Sequence, residues 1–312
     1  MSDLEMKVEA HHKLMYSNNV VMVAQQLGNP LLAAITDINC TGEAQDAADL
    51  VGEVDYETEE THNRRNPDNP VENDRRWLVM PDAIRSGQVI ETEDKFKTAT
   101  DPTSKYVRAH TAAVNRGVFD RILGIRQVSK GVFEVAYGGI LGVANSGKRP
   151  GGSVTDLPVG NFIAHNSTGL NLVKLIEVRE RLGLADFGIE SPDPLTAVIT
   201  PKQVTDLLNI AAQTQTQLNA FQVKQLEDGK PTSLMGINWI QTNRLPKTKA
   251  GHRMCPVFTK SNIVAGFWER INGRIWNDTH IDNKPVCRVR ARLDCTRIQD
   301  EGVYVIECKE GA

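Results

Sequence analysis

Two periodicities organise the chain. In VCRVRARLDC (286–295), Cys287, Val289, Ala291 and Leu293 alternate with Arg288, Arg290 and Arg292, the period of a strand buried on one face. GVYVIECK (302–309) is equally strand-like, and the reading pairs the two and closes the chain in a sheet. In SKYVRAHTAAVNRGVFDRILGI (104–125), Tyr106, Ala109, Ala113 and Gly117 lie beside a second stripe of Val107, Val114, Val118 and Ile122, the wide apolar face of a helix packed along its length. Asp101 is its expected N-cap and Pro102 its first helical residue, and Gly117 inside it points to close approach by another backbone.

Weaker patterns fill the rest. Residues 1–46 hold short apolar runs (VVMVAQQL, LLAAI) broken by Gly28 and Pro30, which reads as an arm with a helix rather than a core element. VFEVAY (132–137), LTAVIT (195–200) and GINWIQT (236–242) read as strands. A helix is expected from about Thr168 through LNLVKLIEVRERL, with Gly183 ending it, and another over PKQVTDLLNIAA, opened by the capping box of Thr200 and Gln203. Helical spacing of Leu218, Phe221 and Leu226 continues past it, and LPKTKAGHRM (245–254) reads as a turn-rich excursion.

One stretch has neither period. EVDYETEETHNRRNPDNPVENDRRWLVMP (53–81) has almost no apolar residue between Tyr56 and Trp77, and it bunches acids from Glu53 to Glu60 before Arg64, Arg65, Arg75 and Arg76. Such a segment cannot bury enough apolar surface to offset its own ordering entropy. It reads either as a surface loop or as a projecting hairpin ordered by a neighbouring molecule.

With 312 residues, 40% hydrophobic and 24% charged, the chain is globular, and its net charge of −3 with no strongly basic segment argues against sequence-specific DNA binding. It has no apolar run of membrane-spanning length and no signal-peptide pattern, so the expectation is a cytoplasmic protein without a membrane partner. Five cysteines without a C-x-x-C pair read as reduced, mostly buried thiols, and the spacing signals no metal site.

The one tempting catalytic motif fails on physical grounds. GVANSGKRPGG (142–152) approaches the phosphate-binding pattern G-x-x-x-x-G-K-[ST], but Arg149 stands at the hydroxyl position. Pro150, Gly151 and Gly152 then leave no helix N-terminus behind Lys148. No nucleophile elbow, zinc-protease motif or paired His and Cys at catalytic spacing occurs, so the chain reads as a non-enzyme with no cofactor.

The order of parts resembles the major capsid proteins of tailed bacteriophages, with the HK97-like fold, from about residue 20 to 310. The likeness is carried by NDRRWLVMPDAI, TEDKFKTATDPTSKYVRAHTAAVNRGVFDRIL, the glycine loop leading into LPVGNFIAHNSTGLNLVKLIEVRERLG, VITPKQVTDLLN, LEDGKPTSLMGINWIQTNRLP and DCTRIQDEGVYVIECKE. The resemblance implies an α+β fold with an N-terminal arm (1–46), an extended E-loop hairpin (47–90) and a peripheral domain with a long spine helix (91–134). An axial domain (135–250) and C-terminal strands returning to the peripheral domain (251–312) complete it. GVANSGKRPGG becomes an assembly loop near the spine helix or axial domain.

The function implied is self-assembly into hexamers and pentamers of an icosahedral head shell that encloses double-stranded DNA without reading its sequence. Its location would be the virion, with assembly in the bacterial host cytoplasm. Expected partners are further copies of the chain, a scaffolding protein, a portal protein and in some systems a decoration protein. No long helical extension precedes the fold, so a separate scaffold is expected for a complete chain, and an extension already removed for a mature form. An encapsulin-like compartment shell is the alternative. The contact residues expected at the hairpin and its base are Glu57, Glu59, Glu60, Arg64, Arg65, Arg75, Arg76 and the apolar anchor Trp77. Lysine-to-asparagine crosslinks occur in some members, and Lys95, Lys97 and Asn69 carry no assignment to one.

Overall fold

A computed structural model of the chain describes residues 26–54, 71, 73–89, 103–187, 193–213 and 235–310. Glu57, Glu59, Glu60, Arg64 and Arg65 lie outside the described residues, as do Asn69, Lys95, Lys97, Asp101, Pro102 and the stretch 214–234. Along the chain run β1 (Thr36–Asn39), β2 (Ala44–Val51), β3 (Asn73–Val79), β4 (Ile84–Val89), α1 (Thr103–Leu123), β5 (Ile125–Ser129), β6 (Val132–Val135), β7 (Ala144–Ser146), β8 (Ser153–Thr155) and β9 (Phe162–Ile163). There follow α2 (Leu172–Leu184), β10 (Leu195–Ile199), α3 (Pro201–Gln213), β11 (Ile237–Gln241), β12 (Arg253–Thr259), β13 (Ile263–Asp278), β14 (Lys284–Arg297) and β15 (Val303–Cys308).

The chain divides into two compact units. The larger comprises Pro30–Met80, Asp120–Phe267 and Asp294–Ala312. Its central sheet has the order β11-β10-β12-β15-β9, with β10 and β11 parallel and β12 antiparallel to both β10 and β15. The helix α2 packs on β15 and buries Leu175, Val178 and Leu182, spaced three and four apart. Asn171 caps it by accepting from Lys174 N at 2.9 Å. α2 runs through the expected stop at Gly183 to Leu184, and Asp186, at φ 59°, takes the left-handed position instead. At the start of α3 the capping box forms, the Gln203 side chain accepting from Thr200 N at 3.0 Å.

The expected pairing of GVYVIECK with VCRVRARLDC does not occur. In its own sheet, of order β1-β13-β14-β4, β14 has both edges occupied, and β15 joins β12 and β9. The sheets thus divide the stretch 251–312, since β12 and β15 belong with β10 and β11 on either side of the boundary expected at 250. Nor is the whole of 1–46 an arm. Leu31 and Ile35 are fully or almost fully buried, β1 pairs in parallel with Val264–Phe267, and β2 begins at Ala44.

The smaller unit, among the described residues, joins β4, α1 up to Phe119, and the stretch 268–293 of β13 and β14. Along β14, Cys287, Val289 and Ala291 are wholly buried while Arg288 and Arg290 face outward, as the alternation predicts. Gly117 of α1 is approached closely, but by a side chain rather than a backbone: a Cβ there would stand 2.6 Å from Ile84 Cγ2. Ile84 opens β4, which runs antiparallel to β14.

Candidate assembly interface

The candidate site is built on the antiparallel pair β2 and β3 of the larger unit, which flanks the charged segment expected as a hairpin. β2 and β3 pair antiparallel from Ala44 opposite Val79 to Val51 opposite Asn73, with Ala47 as an extra residue between Asp46 and Ala48. A bulge of this kind increases local twist and so aims the hairpin. β3 also pairs with β7, and β7 with β8, so GVANSGKRPGG is the tight connection of a β-hairpin with Lys148 exposed at its tip. A strand, not a helix, follows Lys148, which completes the case against a phosphate cradle.

Asp49 and Arg75 face each other across β2 and β3 and form a two-pronged ion pair, one prong being Arg75 Nη2 to Asp49 Oδ2 at 2.9 Å. The Arg75 guanidinium lies 5.3 Å from the centre of the Trp77 ring. Trp77 Nε1 donates to Gly147 O at 2.7 Å, and Asp74 Oδ1 accepts from Gly147 N at 3.1 Å. The glycine loop is thereby fastened to the hairpin base by both its donor and its acceptor at one residue. Beside it a cavity of about 490 Å³ is lined by Asp49, Val51, Asn73, Asp74, Arg75 and Lys148, among others.

Arg76 points the opposite way and is 7% exposed. Its Nε donates to Ile298 O at 2.8 Å, and its Nη2 lies 3.4 Å from Asp300 Oδ2. The other oxygen of Asp300 accepts from Arg297, which is fully buried and also donates to Gly142 O and, at 2.8 Å, to Thr155 O. Asn161 Nδ2 bonds Asp300 O and Val303 O at 2.5 and 3.0 Å. One turn after β14 therefore ties down β3, the β7–β8 hairpin and the segment before β9. Nearby, Asp294 Oδ2 accepts from Val79 N at 3.0 Å. Burial holds the Asp294 carboxyl above its ordinary range, against the opposing pull of that hydrogen bond and of Arg121.

Of the expected contact residues, the structure thus brings Arg75 and Trp77 together at the hairpin base and sends Arg76 into the interior. Arg297 and Asp300 do not stand out in the sequence. Their only local signal is a cation and an anion three residues apart at a strand end, and their partner Arg76 lies more than 220 positions earlier.

No curated protein sequence matches the chain. Solved structures match it over nearly its whole length. The capsid of the cyanophage P-SCSP1u aligns with a TM-score of 0.67 at 13% identity, over 95% of this chain and 93% of that one. The capsid of Ralstonia phage GP4 aligns with a TM-score of 0.64 at 11% identity over 95% of both chains. Mycobacterium phage Cain gives a TM-score of 0.62 at 14% identity over 99% of both. At such identities the likeness is one of fold, and the chain has the α+β fold of phage capsid structures. The family model described as phage capsid protein matches residues 8–310. The chain belongs to that family.

Proposed function

We propose that the protein is the major capsid protein of a tailed phage, which assembles as hexamers and pentamers into an icosahedral head around double-stranded DNA. The observation that carries this reading is the capsid family match over residues 8–310. The same match, with capsid structures as neighbours, disfavours a compartment shell. Scaffolding and portal proteins are the proposed partners in assembly, and a decoration protein is the proposed partner on the finished virion. In this reading the part of 1–46 ahead of the buried Leu31 serves as arm and 47–90 as E-loop, 91–134 as peripheral domain with spine helix, and 135–250 as axial domain, with 251–312 shared as the sheets divide it.

The E-loop of one subunit lies across the next. Glu57, Glu59, Glu60, Arg64 and Arg65 supply its contacts, and Arg75 and Trp77 supply them at the base. Arg76 braces the hairpin from inside its own subunit. Contacts of this head-to-tail kind close into rings and shells, and obligate ones bury on the order of 2,000 Å² or more.

Sedimentation of the protein expressed alone, and with the scaffold encoded beside it, tests the proposal. Particles of shell size are expected in at least one preparation, and only small discrete species in both would overturn it. Nuclease-protected DNA in particles from infected cells, against a protein cargo, separates a phage head from a compartment.

A further inference from the structure

The acids of the E-loop need cations, and the two arginines at the hairpin base that the structure describes are already engaged. Arg75 is engaged by Asp49 and Arg76 by Asp300, within the same subunit. The segment Glu53–Glu60 nevertheless carries five acids (Glu53, Asp55, Glu57, Glu59 and Glu60) and no basic residue. The chain leads into it exposed, with Val51 72% and Val54 47% accessible at the end of β2.

A complementary surface exists on the smaller unit. Where β13 and β14 run out as a long ribbon, a groove of about 410 Å³ is lined by Asn272, Arg274, Ile275, Trp276, Arg288 and Arg290. Arg288 lies 5.6 Å from the centre of the Trp276 ring. Arg290 pairs with Glu269 at 2.6 Å, while Arg274 and Arg288 have no carboxylate partner among the described residues. Exposed Ile275 and Trp276, at 50% and 38%, add apolar area where a soluble monomer gains nothing from it. An extended strand pair presenting arginines around an indole suits an extended acidic peptide with an aromatic residue, and Tyr56 stands among the five acids.

We propose that the groove of Arg274, Trp276 and Arg288 receives the acidic segment Glu53–Glu60 of a second copy of this chain. The inference rests on the shell-forming reading and adds to it the receiving surface and the sign of the contact. One such pair at a rim is worth little, but the contact repeats at every subunit of a closed shell, so assembly responds to it steeply.

A charge-swap assembly assay tests this. Shell yield is compared for the wild type, Arg274→Glu with Arg288→Glu, Glu57→Arg with Glu59→Arg, and the four changes combined, with far-UV circular dichroism on each. Each reversal alone is expected to lower yield at least tenfold with the fold retained, and the combined variant to recover to within about threefold of wild type. The neutral pair Arg274→Gln and Arg288→Gln gives a second reading if a reversal fails to fold, and it too is expected to assemble poorly. Wild-type yield from either reversal overturns the proposal. So does a folded combined variant as defective as the single reversals, or normal shells of the arginine variant that have lost only their DNA, which makes nucleic acid the occupant. A wild type that forms no shell under any condition instead defeats the reading beneath, and the groove assignment with it.

Discussion

Arg76 Nη2 lies 3.4 Å from Asp300 Oδ2, joining two side chains 224 positions apart, each 7% exposed. Asp300 also holds Arg297, so one carboxylate answers two buried guanidinium groups at the root of the hairpin. Removing one partner of a buried ion pair leaves an uncompensated charge, which costs about 3–5 kcal/mol. Asp300→Ala is therefore expected to destabilise the subunit by that amount in denaturant unfolding. A loss below about 1 kcal/mol would contradict the role given to this turn.

Lys174 is a third buried cation, 2% exposed and without a carboxylate bonded to it among the described residues. Its Nζ donates to His165 O, Thr168 O, Gly169 O and Glu307 O at 2.9–3.1 Å, which ties the loop before α2 to the end of β15. Burial pulls its pKa below the ordinary lysine value. Lys174→Met keeps the stem but strands these carbonyls, at about 1–3 kcal/mol for each buried acceptor left unmet. The variant is expected to lose at least about 2 kcal/mol, with faster amide exchange at Lys309, whose N–H bonds Thr168 O. Unchanged exchange there would count against the clamp.

Gly117 sits where Ile84 needs the space. Alanine gains about 1 kcal/mol in helix propensity over glycine. The added methyl, however, meets Cγ2 of a β-branched side chain that has little rotamer freedom, and overpacking costs about 1–3 kcal/mol. Gly117→Ala is expected to lower the thermal midpoint in the wild-type background and to raise it in an Ile84→Ala background. A stabilising effect in both backgrounds would refute the close contact.

Glu310 accepts from Arg253 Nε and Nη2 at 2.8 and 3.0 Å and pairs with Lys247 at 2.8 Å. Burial alone raises its pKa, but the hydrogen bonds and charges of Arg253 and Lys247 outweigh it and bring the carboxyl from 4.5 down to about 2. A depressed carboxylate stabilises the fold above its unfolded-state pKa and loses that contribution as pH falls through the folded one. The stability difference between wild type and Glu310→Gln is thus expected to be constant from pH 7 to about 5 and to vanish between about 4.5 and 2. A difference that grows on acidification would contradict this sign.

Legibility in the sequence follows burial geometry. The alternation of 286–293 reads directly because β14 there is buried on one face only. The first part of β13, Ile263–Phe267, is buried at every residue, and the part beyond Trp268 is largely exposed, so neither half alternates and the strand does not read. β12 hides behind Pro256, which argues against a central strand, yet Pro256 sits opposite Val305 with β10 on the other side. At the candidate interface the charged run around Arg75 marks the hairpin base. That Arg75 stays outside while Arg76 turns in depends on strand parity and on Asp300, which no local pattern contains. The receiving groove is half legible: its arginines stand out in β14, whereas Trp276 and Arg274 lie on the strand that does not read.

Electron microscopy of the purified particles is the most direct measurement of the central claim. Closed icosahedral shells are expected, with a reconstruction tiled by this fold in rings of six and five and each hairpin lying over the neighbouring subunit. Discrete small oligomers under every assembly condition, or shells whose hairpins fold back on their own subunit, would contradict it.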